Sequence, residues 1–166
     1  MATFRFATHF SQPLLSLLFR RYISRETMYH IFESTLSKEY LSEWGEIAGD
    51  FDLIKGYTEL GDVFLINSKT NEIGILFPLN NAIEPMGYTD WAEFSGSVLN
   101  NLGFQEEVVR KEHLVQVSNH CDKLGQQQIY YAVPLPSIGG SGAPETYKTG
   151  DLWVYLSIVY QSLNEI

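Results

Sequence analysis

Asp62-Val63-Phe64-Leu65-Ile66 and Ile73-Gly74-Ile75-Leu76-Phe77 are two β-rich runs, and the six residues between them, Asn67-Ser68-Lys69-Thr70-Asn71-Glu72, are all polar. Branched and aromatic side chains fit a pleated, half-buried surface, whereas Asn, Ser and Thr in succession favour a turn. The stretch therefore predicts an antiparallel hairpin. Both runs are apolar almost throughout, so helices are expected to cover at least one face of the pair. Leu53 to Tyr57 supplies a neighbouring strand, and Met28-Tyr29-His30-Ile31-Phe32 reads as a short extended piece upstream.

Helical periodicity flanks this centre. A first helix is expected over about residues 13–22, with Ser11 as cap, Pro13 in the first turn and Arg20 and Arg21 at the C-terminal end, where cations are favoured. A second spans 37–47, with Leu36, Tyr40, Leu41, Trp44 and Ile47 on one face and Gly49 as its stop. After Thr89 the period returns. Asp90 and Glu93 have capping spacing, Gly103 marks a stop, and a further helix covers 105–124 before Gly125. Ile129 to Val133 is the next strand, a Pro- and Gly-rich loop covers 134–144, and a helix over 151–163 closes the chain. The expected fold is α+β, a small, mainly antiparallel sheet flanked by helices. It forms a single domain over residues 1–166, with 1–35 as a variable helical lead-in.

Charge narrows the partner class. The chain carries a formal net charge of −9, and residues 1–25 hold Arg5, Arg20, Arg21 and Arg25 with no acid, so the remainder is four units more negative than the whole. So acidic a body repels phosphate backbones and attracts a basic protein, although acidity also serves plain solubility. Cys121 is the only cysteine and cannot form an intramolecular disulfide, which suits a reducing compartment. The apolar run from Pro13 to Phe19 is shorter than the ~18–20 residues a bilayer span needs, and Arg20 and Arg21 follow it, whereas a secretory signal carries its positive charge before the apolar region and ends in small residues. A cytoplasmic protein that neither enters a membrane nor binds nucleic acid directly is the expectation.

Catalytic patterns fail on spacing. His113 and His120 are seven residues apart, about 10 Å along a helix, too far to share one zinc ion at ~2 Å. Neighbours such as His120 and Cys121 point in different directions on a helix. Ser95 and Ser97 lie in a predicted helix without the Gly-x-Ser-x-Gly elbow, and Gly96 between them reads as a spacer for close helix packing. Gly139-Gly140-Ser141-Gly142 lacks the Gly-Lys-Ser/Thr ending of a phosphate loop and reads as a structural connection. The acid pairs Asp50/Asp52, Glu106/Glu107 and Glu59/Asp62 read as solvated carboxylates. No catalytic residue, metal site or cofactor is expected.

Tyr131-Ala132-Val133-Pro134-Leu135-Pro136-Ser137-Ile138-Gly139-Gly140, then Tyr147-Lys148-Thr149-Gly150-Asp151 and Leu152-Trp153-Val154-Tyr155-Leu156, resemble the C-terminal domain of bacterial immunity proteins paired with type VI secretion DNase toxins. That family shows a Pro-x-Leu-x-x-Gly-Gly segment, a short spacer and a closing apolar helix. Gly61-Asp62-Val63-Phe64-Leu65 resembles its Phe-Gly-Asp-hydrophobic strand, with Leu60 in place of phenylalanine. A second resemblance, through acidic Gly-Asp strand motifs, is to the immunity superfamily of α+β scaffolds named for a yeast cell-wall regulator. The first resemblance implies no catalysis. It implies a protein that binds a cognate toxin, and the charge fits a basic nuclease. Glu43, Glu46, Asp50, Asp52 and Glu59 are the expected contacts, as exposed acids near a helix–sheet junction. The rival expectation is a small hydrolase or ligand-binding enzyme using His113, His120, Cys121 or the glycine loop.

Overall fold

The structure of the chain, a computed structural model, describes residues 28–164. The helix expected over 13–22 lies outside them. Strands β1 (Tyr29–Ser37), β2 (Leu53–Thr58), β3 (Val63–Ile66), β4 (Ile73–Phe77) and β5 (Ala82–Pro85) form one antiparallel sheet in sequential order. A separate two-stranded sheet pairs β6 (Gln128–Ala132) with β7 (Tyr147–Asp151). Helices α1 (Trp44–Ile47), α2 (Trp91–Glu93), α3 (Leu102–Glu107), α4 (Lys111–Ser118) and α5 (Leu152–Asn164) complete an α+β fold.

The central hairpin forms as its sequence predicts, with Val63 opposite Leu76 and Ile66 opposite Ile73. Asn67 organises the turn, its Oδ1 accepting from the Lys69 N–H at 2.9 Å and the Thr70 N–H at 3.3 Å. Its lack of alternation has a direct cause: both faces are covered. Val63, Leu65 and Leu76 join a core with Trp44, Leu152, Leu156 and Val159, while Phe64, Ile73 and Ile75 join another with Phe94 and Leu99. Full burial of one such side chain contributes about 1.5–3 kcal/mol. At Gly74 the ring of Phe51 lies where a side chain would sit.

Several expectations need correction. Residues 29–35 belong to the first strand, not to a helical lead-in, and that strand runs on to Ser37 through an irregularity between Ile31 and Leu36. The helix expected over 37–47 breaks into a 3-10 turn (Lys38–Leu41) and α1, because Ser42 takes φ +52. Its apolar face is split accordingly: Leu41 and Trp44 are buried, but Tyr40 is 57% exposed and Ile47 37%. The helix expected over 105–124 is α3 and α4, separated where Arg110 adopts φ +58. Gly103 lies inside α3, which Asn101 caps through a bond from the Phe104 N–H. Gly96 faces open space, so it spaces no helix packing.

Asp90 does cap α2, accepting from the Ala92 and Glu93 N–H groups. Asp151 likewise caps α5 through Trp153 and Val154. Among the described residues, no helix is long and apolar enough to cross a membrane.

Candidate functional site

Residues 37–52 form an acidic segment that is cross-linked within itself and anchored to α5 through Trp44. The Lys38 N–H donates to the Asp52 carbonyl at 2.9 Å, and Lys38 Nζ donates to the Gly49 carbonyl at 2.9 Å. Trp44 anchors the middle: its side chain is fully buried, Nε1 donates to the Leu156 carbonyl at 2.8 Å, and its ring meets Tyr160 edge-on. The outer side of the segment is an open groove of about 440 Å³ lined by Lys38, Glu39, Ser42, Gly45, Glu46 and Gly49. Five acids (Glu39, Glu43, Glu46, Asp50 and Asp52) share this segment with one base, Lys38.

Four of the five expected contacts therefore lie together, though not equivalently. Glu46 and Asp50 are exposed. Glu43 is partly shielded, and its own backbone N–H and the Ser42 hydroxyl hold its carboxyl below the usual range. Asp52 accepts from the Ser68 hydroxyl at 2.6 Å and the Ser68 N–H at 2.7 Å, bonds that hold its carboxyl low as well. Asp52 thus ties the start of β2 to the β3–β4 turn.

Glu59 is a correction, since it is buried at 7% exposure and cannot be an exposed contact. Its N–H donates to the Met28 carbonyl and its carbonyl accepts from Tyr130, linking the edge of the large sheet to β6. Its Oε1 lies 3.8 Å from His30 Nε2, and burial holds the His30 pKa down.

Asp62 is a second correction to the picture of solvated acids. Gly61, at φ +92, lets the β2–β3 turn close against Tyr155 and Ile129, where a Cβ would collide with the tyrosine ring. Thr58 Oγ1 then donates to Asp62 Oδ2 at 3.1 Å and accepts from the Asp62 N–H at 3.0 Å. Arg110 donates to the same Oδ2 at 2.9 Å. Burial pushes the Asp62 carboxyl up, and Arg110 opposes that rise. The pair borders a cleft of about 230 Å³ with Phe77, Leu79, Asn80, Glu107 and Val108. Sequence reasoning missed Arg110. The available signal was that no other arginine follows residue 25.

The residues of the enzyme alternative make packing contacts. His113 sets its ring against Tyr147 at 5.1 Å, and Cys121 Sγ donates to the Tyr147 carbonyl at 3.2 Å. His120 lies beyond the end of α4 and lines a separate hollow with Cys121, Asp122 and Lys148. Ser95 and Ser97 sit on a π-helical turn over Phe94–Val98, not after a strand. Among the described residues, no group of three or more His, Cys, Asp or Glu side chains could hold a metal ion.

The glycine loop has a steric explanation. Gly139, at φ +89, ends the 3-10 turn Pro136–Ile138, and Gly140 donates to the Leu135 carbonyl at 3.0 Å while packed so tightly on the Pro134 carbonyl that a Cβ would collide with it.

No family model and no curated protein matches the chain. Among solved structures, the fold is similar to the crystal structure of Atu4351 from Agrobacterium tumefaciens, with a TM-score of 0.57 at 18% identity over 92% of this chain and 76% of that one. At that identity the likeness shows a shared fold and nothing further.

Proposed function

We propose that the chain is an immunity protein that binds a cognate bacterial toxin and neutralises it, and that the toxin is a basic nuclease. The observation that carries this reading is the acidic segment 37–52: Glu39, Glu46 and Asp50 are exposed on a backbone fixed by Trp44 and Lys38, with Tyr40 and Ile47 exposed among them. A nuclease is basic where it meets DNA, and such a surface competes for that region while speeding encounter through long-range attraction. Tyr40 and Ile47 supply the apolar contact that charge alone lacks, since interface affinity concentrates in a few large side chains ringed by polar ones. The family resemblance of the Gly61–Leu65 and Tyr131–Leu156 segments supports the same reading and adds a type VI secretion context. In this reading the chain is not an enzyme and acts in the cytoplasm without a cofactor. The hydrolase alternative has less to stand on, because His113 and Cys121 are engaged with Tyr147.

The test is capture of the product of the neighbouring toxin gene by the tagged chain, together with survival of cells expressing both. Glu46→Lys with Asp50→Lys should abolish rescue while leaving the melting temperature within about 2 °C of wild type, as expected for exposed sites. Full rescue by that double variant would remove the acidic segment from the mechanism.

A further inference from the structure

Asp62 and Arg110 form an ion pair that is only half closed. Both bonds to the carboxylate, from Thr58 Oγ1 at 3.1 Å and Arg110 Nη2 at 2.9 Å, fall on Oδ2. Arginine and a carboxylate often join through two parallel bonds, but here there is one. Oδ1 accepts from no described residue, although the side chain is only 7% exposed. It is not enclosed by protein either, so it opens on the cleft of about 230 Å³ that Asp62 and Arg110 line together. Arg110 keeps its other guanidinium N–H groups for the same cleft and for solvent.

The pair thus sets a hydrogen-bond acceptor beside donors at the foot of a small cavity. Phe77, Leu79 and Val108 supply apolar wall. The space would hold about seven waters at ~30 Å³ each, the scale of a small ligand or of one side chain. Charge then decides what fits. An anion would meet the Asp62 carboxylate, and Glu107 lines the cleft as well. A cation would meet the Arg110 guanidinium, which already holds Oδ2. A neutral group that donates to Oδ1 and accepts from Arg110 satisfies both without bringing a charge out of water. A carboxamide carries such a donor and acceptor side by side.

We infer that this cleft is a binding site for a neutral carboxamide on an apolar body, its N–H donated to Asp62 Oδ1 and its carbonyl accepting from Arg110. The amide belongs either to a free small molecule or to an Asn or Gln side chain of a protein partner. The site shares no residue with the acidic segment 37–52 and does not depend on the immunity reading.

Three probes of one shape and different charge test it: benzamide, benzoate and benzamidinium, titrated into the full chain and followed by the Leu79 and Asn80 amide resonances. Benzamide should bind saturably and at least tenfold more tightly than either ion. Asp62→Asn should then exchange the preference. Thr58 and Arg110 both donate to the inner oxygen, so the asparagine oxygen takes that place and its amide nitrogen the open one, turning acceptor into donor. Benzoate should lead benzamide at least tenfold in this variant, an exchange that loosening of the fold alone does not produce. No saturable benzamide binding, or a wild-type ranking led by either ion, overturns the site. An unchanged ranking in Asp62→Asn does the same, and if that variant fails to fold the wild-type ranking decides alone. Competition reads the source of the amide. Displacement of the neighbouring-gene toxin by saturating benzamide places the amide on the partner, whereas an undisturbed complex, or none, assigns it to a free molecule.

Discussion

Replacing Arg110 with alanine removes the guanidinium that donates to Asp62 Oδ2 at 2.9 Å and leaves that carboxylate, on a residue only 5% exposed, with the Thr58 hydroxyl as its other bond. Stripping one partner from a buried ion pair costs about 3–5 kcal/mol, because the remaining charge stays desolvated. Alanine brings no relief of backbone strain, since a Cβ at φ +58 is as disfavoured as before. Arg110→Gly should therefore recover about 1–2 kcal/mol of the loss. The opposite deletion is cheaper. Asp62→Asn leaves an amide of the same shape, and Arg110, with its side chain 35% exposed, regains water, so the cost should be about 1–2 kcal/mol. Urea titration at pH 7 measures all three, against a total stability of about 5–15 kcal/mol for a domain of this kind.

Acid gives a second readout with a fixed sign. Burial raises the native Asp62 pKa and Arg110 restrains it, so without Arg110 the native carboxyl rises further. The native state then holds a proton that the unfolded chain has released, and stability increases as pH falls towards the unfolded value of about 4. The Arg110→Ala deficit should thus shrink between pH 7 and pH 5. An Asp62→Asn cost equal to that of Arg110→Ala, with a deficit independent of pH, would refute the buried-charge argument.

Three further outcomes follow from individual contacts. Gly61→Ala places a Cβ 2.5 Å from the Tyr155 ring at φ +92 and should cost about 2–5 kcal/mol in a thermal melt, with an unchanged melting temperature as the contrary result. Asp52→Ala removes two bonds to Ser68 at a partly exposed site and should cost about 1 kcal/mol at pH 7. Because the folded pKa of Asp52 is depressed, its contribution is present above the unfolded value and fades as pH falls through the folded one, so the cost should vanish in acid. Trp44→Phe loses the bond to the Leu156 carbonyl and leaves a void beside Tyr160, for about 2 kcal/mol by chemical denaturation.

The central hairpin was legible because its signal is local: two apolar runs, a polar turn, and no alternation where both faces are covered. The breaks at Ser42 and Arg110 were not, since neither residue announces a left-handed backbone as glycine would. Strand β7, Tyr147-Lys148-Thr149-Gly150-Asp151, carries no apolar run and is fixed by pairing with β6 and by the Tyr131 ring over Gly150. At the candidate site, Glu43, Glu46, Asp50 and Asp52 share one short stretch of chain, so their common placement between β1 and β2 is a local matter. The burial of Glu59 is not, because it depends on Met28 and Tyr130, which are distant in sequence. Asp62 and Arg110 meet across 48 residues, beyond any periodicity argument.

The most direct measurement is the association rate of the purified chain with the neighbouring-gene toxin as salt is raised. A one-to-one complex should form, with a rate that falls at least tenfold between about 50 and 500 mM salt, and Glu46→Lys with Asp50→Lys should remove most of that dependence. No complex at any salt, together with no protection on co-expression, would contradict the account.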